Sequence, residues 1–377
     1  MNQKPFYTNH FTALDGIRGV SVLCVILAHH VRFPLAFLAM DCFFVLSGFL
    51  ITGILLDTKV SKGYLKNFYF RRALRIFPIY YFTLFVFFYV LDGCCSLSDN
   101  PDFEFYFENE ISFWVYFQNY SIAHMDPRQS HALAHLWSLA VEEQFYLIWP
   151  IILLGVLKYF GKKNIARIAL VIAMVSGTTL FFVSLQLDQS NAQQISHIYF
   201  GTDTHSLGLF LGSALAVSWI PQNLSADIEK RAQDVIDGIG VFGLLGLIST
   251  FLFIDESNAS LYRIAFPLAG IFGCLVIISL VHPASRFAPI ISTAPFRWVG
   301  QRSYGIYIWH WVIFQVTRPS VDLSGQTWAL YLARVLLVLA LADISLRWVE
   351  IPFRQGLVQN WFRGMKYRSA KVKLRQQ

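Results

Sequence analysis

Apolar stretches of about 20 residues, the length a helix needs to cross a hydrocarbon core, recur along almost the whole chain. Inside lipid no water pairs with backbone N–H and C=O groups, so each such stretch has to satisfy them internally as a helix. Composition agrees with the pattern: 55% of the residues are hydrophobic and 14% charged, against about 45–50% and about 25% in ordinary globular chains. The chain reads as an all-α, polytopic transmembrane bundle. Ten spans are expected, over about 14–31, 35–56, 76–91, 135–157, 168–185, 201–219, 238–254, 262–281, 303–318 and 329–349. The first is not followed by a small-residue cleavage site and is expected to stay as a span.

Loop charge sets the orientation. With the N-terminus inside, the inner segments carry 24 of the 30 Lys and Arg, and the outer ones carry only Arg32, Arg128, Arg263 and Arg318. That is the positive-inside asymmetry, and it places both termini in the cytoplasm. It also accounts for the net charge of +7 without nucleic acid. The outer loop 92–134 is acidic instead. Its apolar piece 111–124 is short, and crossing there would expel the basic loop 158–167, so it is expected to be interfacial or re-entrant. Residues 1–353 form the transmembrane domain, and 354–377 a basic tail suited to anionic lipid. The five cysteines show neither metal-ligand spacing nor a disulfide framework, so no metal is expected.

Polar groups inside such spans are costly and mark sites or paths. In "LDGIRGVSVLCVILAHH", residues 14–30, Arg18 and His29 are 11 apart, within about 20° of one helical face and about 16 Å along the axis. Asp15 lies one turn before Arg18 and is placed to pair with it, whereas His30 points elsewhere. In "NFYFRRALRIFPIYYF" the guanidiniums of Arg71, Arg72 and Arg75 suit either lipid anchoring or a polyphosphate. In "HLWSLAVEEQFYLIWP" His135, Ser138 and Glu142 share a face with Glu143 adjacent, two turns in, where the helix dipole has faded. In "SYGIYIWHW" Ser303, Tyr307 and His310 form one stripe, suited to interhelical hydrogen bonds or to a site. "DCFFVLSGFLIT" (41–52) reads as structural, Ser47 and Gly48 being small residues at a helix contact.

In this order, the five motifs resemble the membrane-bound acyltransferase 3 family, whose bacterial members O-acetylate O-antigen, exopolysaccharide and peptidoglycan. The likeness runs over about residues 11–353. It implies a functional Arg18–His29 pair, a basic cluster at Arg72 and Arg75, and an acidic pair at Glu142 and Glu143. It also implies acyl-CoA, usually acetyl-CoA, as donor substrate with no bound cofactor, a glycan acceptor across the bacterial inner membrane, and a multi-pass location there. Under that resemblance CoA docks at Arg18, Arg71, Arg72 and Arg75. His29 acts as general base or acyl carrier, and Glu142 orients an imidazole or holds the acceptor. Where the family often has Gly before this motif, the chain has Ala39 followed by Met40, for which only a slight packing adjustment is expected. The chain reads as a stand-alone form that hands the acyl group to the acceptor directly or through a partner transferase. The competing classes are a transporter or flippase, whose inverted repeats are not found in the sequence, and a non-catalytic scaffold.

Overall fold

The computed structural model describes residues 11–31, 36–59, 63–125, 132–185, 192–253, 261–318 and 328–356, and every regular element among them is helical. Helices occur at all ten expected positions: α1 (Thr12–Val31), α2 (Ala36–Thr58), α3 (Tyr64–Phe85), α4 (Trp137–Tyr159), α5 (Ile165–Leu185), α6 (Leu207–Ser218), α7 (Lys230–Phe253), α8 (Phe266–Leu280), α9 (Ala294–Val316) and α10 (Trp328–Ser345). Seven of them, α2, α3, α4, α5, α7, α8 and α10, lie in stretches long and apolar enough to cross a membrane. All but the first three residues of the basic tail lie outside the described residues, as does the His30 side chain.

Three expectations shift. The third helix starts at Tyr64, well before residue 76, so Arg71, Arg72 and Arg75 sit on regular helix and point in fixed directions. The ninth starts at Ala294, ahead of residue 303. Arg302 is therefore not a loop anchor. Its guanidinium is buried, bonds Asp343 Oδ1 of α10 through Nε at 2.7 Å, and stacks 4.0 Å over Trp298. The stretch 201–219 yields a twelve-residue helix preceded by a separate turn, Thr202–His205. The break follows from local bonds: Thr204 Oγ1 donates to the Ile198 carbonyl and His205 Nδ1 to that of Tyr199, folding the chain back on itself.

The apolar piece 111–124 contains parts of two helices of five residues each, Glu110–Trp114 and Gln118–Ile122. Neither is long enough to cross. The first lies against α3, where Tyr80 donates to the Phe113 carbonyl at 2.8 Å and stacks on Tyr116 with centroids 4.2 Å apart, and the second against α4, where Gln144 donates to Asn119 Oδ1 at 3.0 Å.

Lipid offers no hydrophobic drive between helices, so close backbone packing has to hold the bundle. Two crossings achieve it with glycine. On α2 and α6, a Cβ at Gly48 would sit 1.8 Å from the Leu209 carbonyl oxygen, and one at Gly212 would sit 2.0 Å from that of Val45. On α1 and α9, Gly19 touches the Phe296 carbonyl and Gly300 that of Asp15. These contacts set α1 parallel to α9, with Asp15 beside Gly300 and His29 beside His310.

Gly48→Leu is expected to cost about 3 kcal/mol through overpacking and to lower the melting temperature of the protein in detergent. Gly155→Ala, where nothing lies within 4 Å of an added Cβ, is expected to leave the melt unchanged.

Candidate active site

Two cavities lie back to back among α1, α2, α4 and α9. The first takes Arg18 from α1, Arg72 and Arg75 from α3, Ser138, Glu142, Glu143 and Tyr146 from α4, and Ser303, Tyr304 and Tyr307 from α9. Arg18 reaches it because α1 is pressed onto α9, and its Nη1 is 3.3 Å from Asp15 Oδ1, one turn back. Arg72 and Arg75 reach it because i and i+3 share a helical face. Arg71, about 100° around the helix from Arg72, does not. It lines a separate pocket with Asn67, Phe70 and Arg354, so the expected basic triplet is split by helix geometry.

Inside the first cavity Ser47 Oγ of α2 donates to Glu142 Oε1 at 2.5 Å and accepts from the Tyr146 hydroxyl at 3.0 Å. The Arg72 guanidinium lies 3.9 Å over the Tyr146 ring, and its Nε has no hydrogen-bond partner. No hydrogen bond or ion pair to Arg75 or Glu143 is found among the described residues. Three guanidiniums thus face two carboxylates in the lining, and Asp15 behind Arg18 is a third. The guanidiniums of Arg72 and Arg75 have no paired carboxylate among the described residues, in a setting where Coulomb forces are weakly screened.

The second cavity, about 160 Å³, is lined by His29, His135, Trp137, Tyr199, Phe200 and Trp311, together with Val25 and Ala134. His29 is held by His310, Nδ1 to Nε2 at 3.0 Å, with the rings nearly coplanar (4°) and Trp311 at 4.2 Å. The direction of these bonds follows from the partners. His310 Nδ1 lies 2.6 Å from the Tyr307 carbonyl, which can only accept, so Nδ1 carries the proton. With both rings neutral, His310 Nε2 is then the acceptor and His29 Nδ1 the donor, leaving Nε2 of His29 with the free lone pair. His135, in the short turn Ala134–Leu136 ahead of α4, donates from Nε2 to the Ile308 carbonyl at 3.2 Å, and its Nδ1 has no partner.

Met40 and Tyr307 line both cavities. The Tyr307 hydroxyl donates to the His135 carbonyl at 2.5 Å and accepts from Ser138 Oγ at 2.7 Å. Arg18 and His29 therefore open on neighbouring chambers that share a wall. Among the described residues there is no group of three or more His, Cys, Asp and Glu that could hold a metal.

The sequence signature of an acyltransferase domain matches residues 11–347. The chain belongs to the acyltransferase 3 family. It is 34% identical over 367 residues to a protein named peptidoglycan O-acetyltransferase OatA in Listeria monocytogenes, covering 94% of this chain and 57% of that one. It is 31% identical over 365 residues to O-acetyltransferase OatA of Staphylococcus aureus, covering 94% and 58%. The chain thus spans under two thirds of the length of these relatives. No solved structure matches it.

Of the candidates read from sequence, the structure gathers Arg18, Arg72, Arg75, Ser138, Glu142, Glu143, Ser303 and Tyr307 at the first cavity. His29 and His135 line the second, with Tyr307 in its wall and His310 behind His29. Asp15 supports Arg18 from its own helix. Glu142 turns to Ser47, not to an imidazole, and His310 occupies the orienting position beside His29. Sequence reasoning read Ser47 and Met40 as packing residues and passed over Tyr146 and Trp311. Tyr146 is four residues after Glu142 and so on its face, the one signal that was available.

The Ser47–Glu142 bond is expected to show about 2 kcal/mol of coupling in a double-mutant cycle of Ser47→Ala and Glu142→Leu, read from thermal unfolding in detergent.

Proposed function

We propose that this protein is an integral-membrane O-acyltransferase that moves an acyl group, in the first place acetyl, from acyl-CoA to a hydroxyl of a cell-surface glycan. Family membership and the printed names of its relatives support the reaction class. The observation that carries the reading is the pair of adjoining chambers, one rich in guanidinium and the other holding a lone-pair imidazole. The charge asymmetry of the loops turns the arginine chamber toward the cytoplasm and places both termini there, in a bacterial inner membrane.

CoA is a polyanion, and forked guanidiniums grip phosphate oxygens two at a time. Arg18, Arg72 and Arg75 hold its phosphate end, and the pantetheine arm carries the thioester toward the wall. On the far side the acceptor hydroxyl lies against His29. Its oxygen attacks the thioester carbonyl while His29 Nε2 takes its proton. The carbon–sulfur bond then breaks, and the leaving thiolate takes the proton from His29, so CoA departs as the thiol. His310 keeps the lone pair on Nε2, as the third member of a triad does for its histidine. The aromatic walls, Trp137, Tyr199, Phe200 and Trp311, offer flat apolar faces to a sugar ring.

Membranes bearing the protein are expected to move label from acetyl-CoA into endogenous glycan. His29→Ala is expected to abolish this, and His30→Ala to be milder. Replacing Arg72 and Arg75 with Ala is expected to raise KM for acetyl-CoA about tenfold or more, the loss of a charge-assisted contact. Glycan movement without label transfer would mark a transporter instead.

His310→Leu is expected to lower kcat by about 10²–10⁴, the worth of a positioned base. His310→Gln keeps an acceptor for His29 Nδ1 and is expected to restore part of the rate. Equal rates in the two variants would sink the orienting role.

A further inference from the structure

We propose that Met40 is the gate between the two chambers and that its bulk determines which acyl groups this protein transfers. The proposal rests on the acyltransferase reading above and adds the acyl specificity of the same site.

The wall has a fixed half and a movable half. Tyr307 is fixed: its hydroxyl is bonded on both sides, to the His135 carbonyl and to Ser138, and its ring packs against His135 and His310 with centroids 5.3 and 5.4 Å away. Moving it breaks two hydrogen bonds within an apolar bundle. Met40 has no hydrogen bond to lose, although it is buried, at 8% exposure. Its side chain is unbranched and has three rotatable bonds, so it can swing without disturbing the backbone. That backbone is itself anchored, because the next residue, Asp41, lies 3.4 Å from His205, and Phe44 packs edge-on against Trp137.

The chemistry requires passage at this point. The phosphates of the donor stay with the arginines of the first chamber, while the thioester carbonyl has to meet a hydroxyl beside His29 in the second. The acyl group is the leading end of the donor, so it crosses the wall first, and the space beyond Met40 receives it. The second chamber, about 160 Å³, also has to admit the reacting hydroxyl. A two-carbon group asks for a small opening, whereas each further methylene competes for volume with the Met40 thioether. Met40, for which the sequence suggested only a packing adjustment, thus stands at the point where donor and acceptor meet. The covalent step is the balanced one given above: the ester C–O bond forms, the C–S bond breaks, and the hydroxyl proton ends on the CoA thiol.

The test uses the full chain in inside-out membrane vesicles with endogenous glycan, supplied with labelled acetyl-, butyryl- or hexanoyl-CoA, and reads label in the glycan. Met40→Ala is expected to raise the butyryl-to-acetyl ratio about tenfold or more, within the range one or two methylenes command in an apolar pocket. Met40→Phe is expected to lower that ratio and slow acetyl transfer. Met40→Leu, of similar volume, is expected to stay close to the parent. Unfolded protein transfers neither group, so the ratio reports the gate and not the yield; where Met40→Ala does not fold, Met40→Val carries the same expected direction. Ratios equal to the parent in both the shortened and the enlarged variants overturn the gate. Absence of label transfer from the parent protein with every acyl-CoA overturns the acyltransferase reading instead, and the gate with it.

Discussion

The contact on which the site depends is between two backbones. Gly19 of α1 and Gly300 of α9 bring their helices so close that a single methyl on either would meet a carbonyl oxygen at 2.2 or 1.8 Å. In lipid that approach is favoured by dispersion and not by expulsion of water, so it tolerates no spacer. Ten residues further along each of these parallel helices stand His29 and His310. Their 3.0 Å bond is a consequence of the crossing. Three helical turns carry the register, since both helices rise at the same 1.5 Å per residue. A ring pair built on loops would have no such guarantee of distance. The same crossing brings Arg18, from one turn above Asp15, against α3 and α4.

Buried charge is the second constraint. A bundle this apolar admits guanidiniums only where other groups take over part of the work of water. Each arginine solves this differently. Arg302 uses Asp343 and the face of Trp298, and Arg334 bonds the Phe314 carbonyl and Thr317. Both serve to tie helices together. Arg18 and Arg72 are served less fully, by a 3.3 Å pair with Asp15 and by the Tyr146 ring. The contrast is physical: Arg302 and Arg334 have several partners on neighbouring helices, whereas Arg18 and Arg72 line a cavity with fewer.

Much of the fold was legible because hydropathy and helix periodicity are local properties. The expected spans were found as helices, and the Arg18–His29 face could be computed from 3.6 residues per turn. The partition of the arginines was legible in principle, since Arg71 and Arg72 point about 100° apart on a helix; the lapse was to treat three neighbours as one cluster. Helix ends were less legible. The loop reading of residues 294–302 failed because Arg297 and Arg302 depress hydropathy, while Arg302 finds its partner Asp343 on another helix, invisible in a linear window. The partner of Glu142 was hidden for the same reason: Ser47 lies 95 positions away on α2. Small residues in a packing motif can also donate hydrogen bonds, and nothing local tells the two uses apart. The buried Asp41–His205 pair escaped notice on the same account.

Why the site is divided at all follows from what an open passage would do. A continuous polar channel from the arginines to the imidazoles would carry water and protons across most of the bilayer. It would also expose an activated thioester to hydrolysis beside a ring able to act as base. A wall of one pinned phenol and one swinging thioether avoids both, because an apolar plug of this size excludes water until a larger apolar group displaces it. On the proposed reading the acyl thioester at the tip of the pantetheine arm is such a group, and the charged phosphates cannot follow it through. Under that reading, division of the cavity would separate the two halves of the donor by polarity, keeping the anion with the guanidiniums and admitting only the acyl end to His29. On the proposed reading, direction across the membrane needs no rocking of domains. It comes from the fixed offset of about 16 Å between Arg18 and His29 on one rigid helix, bridged by the length of the donor itself.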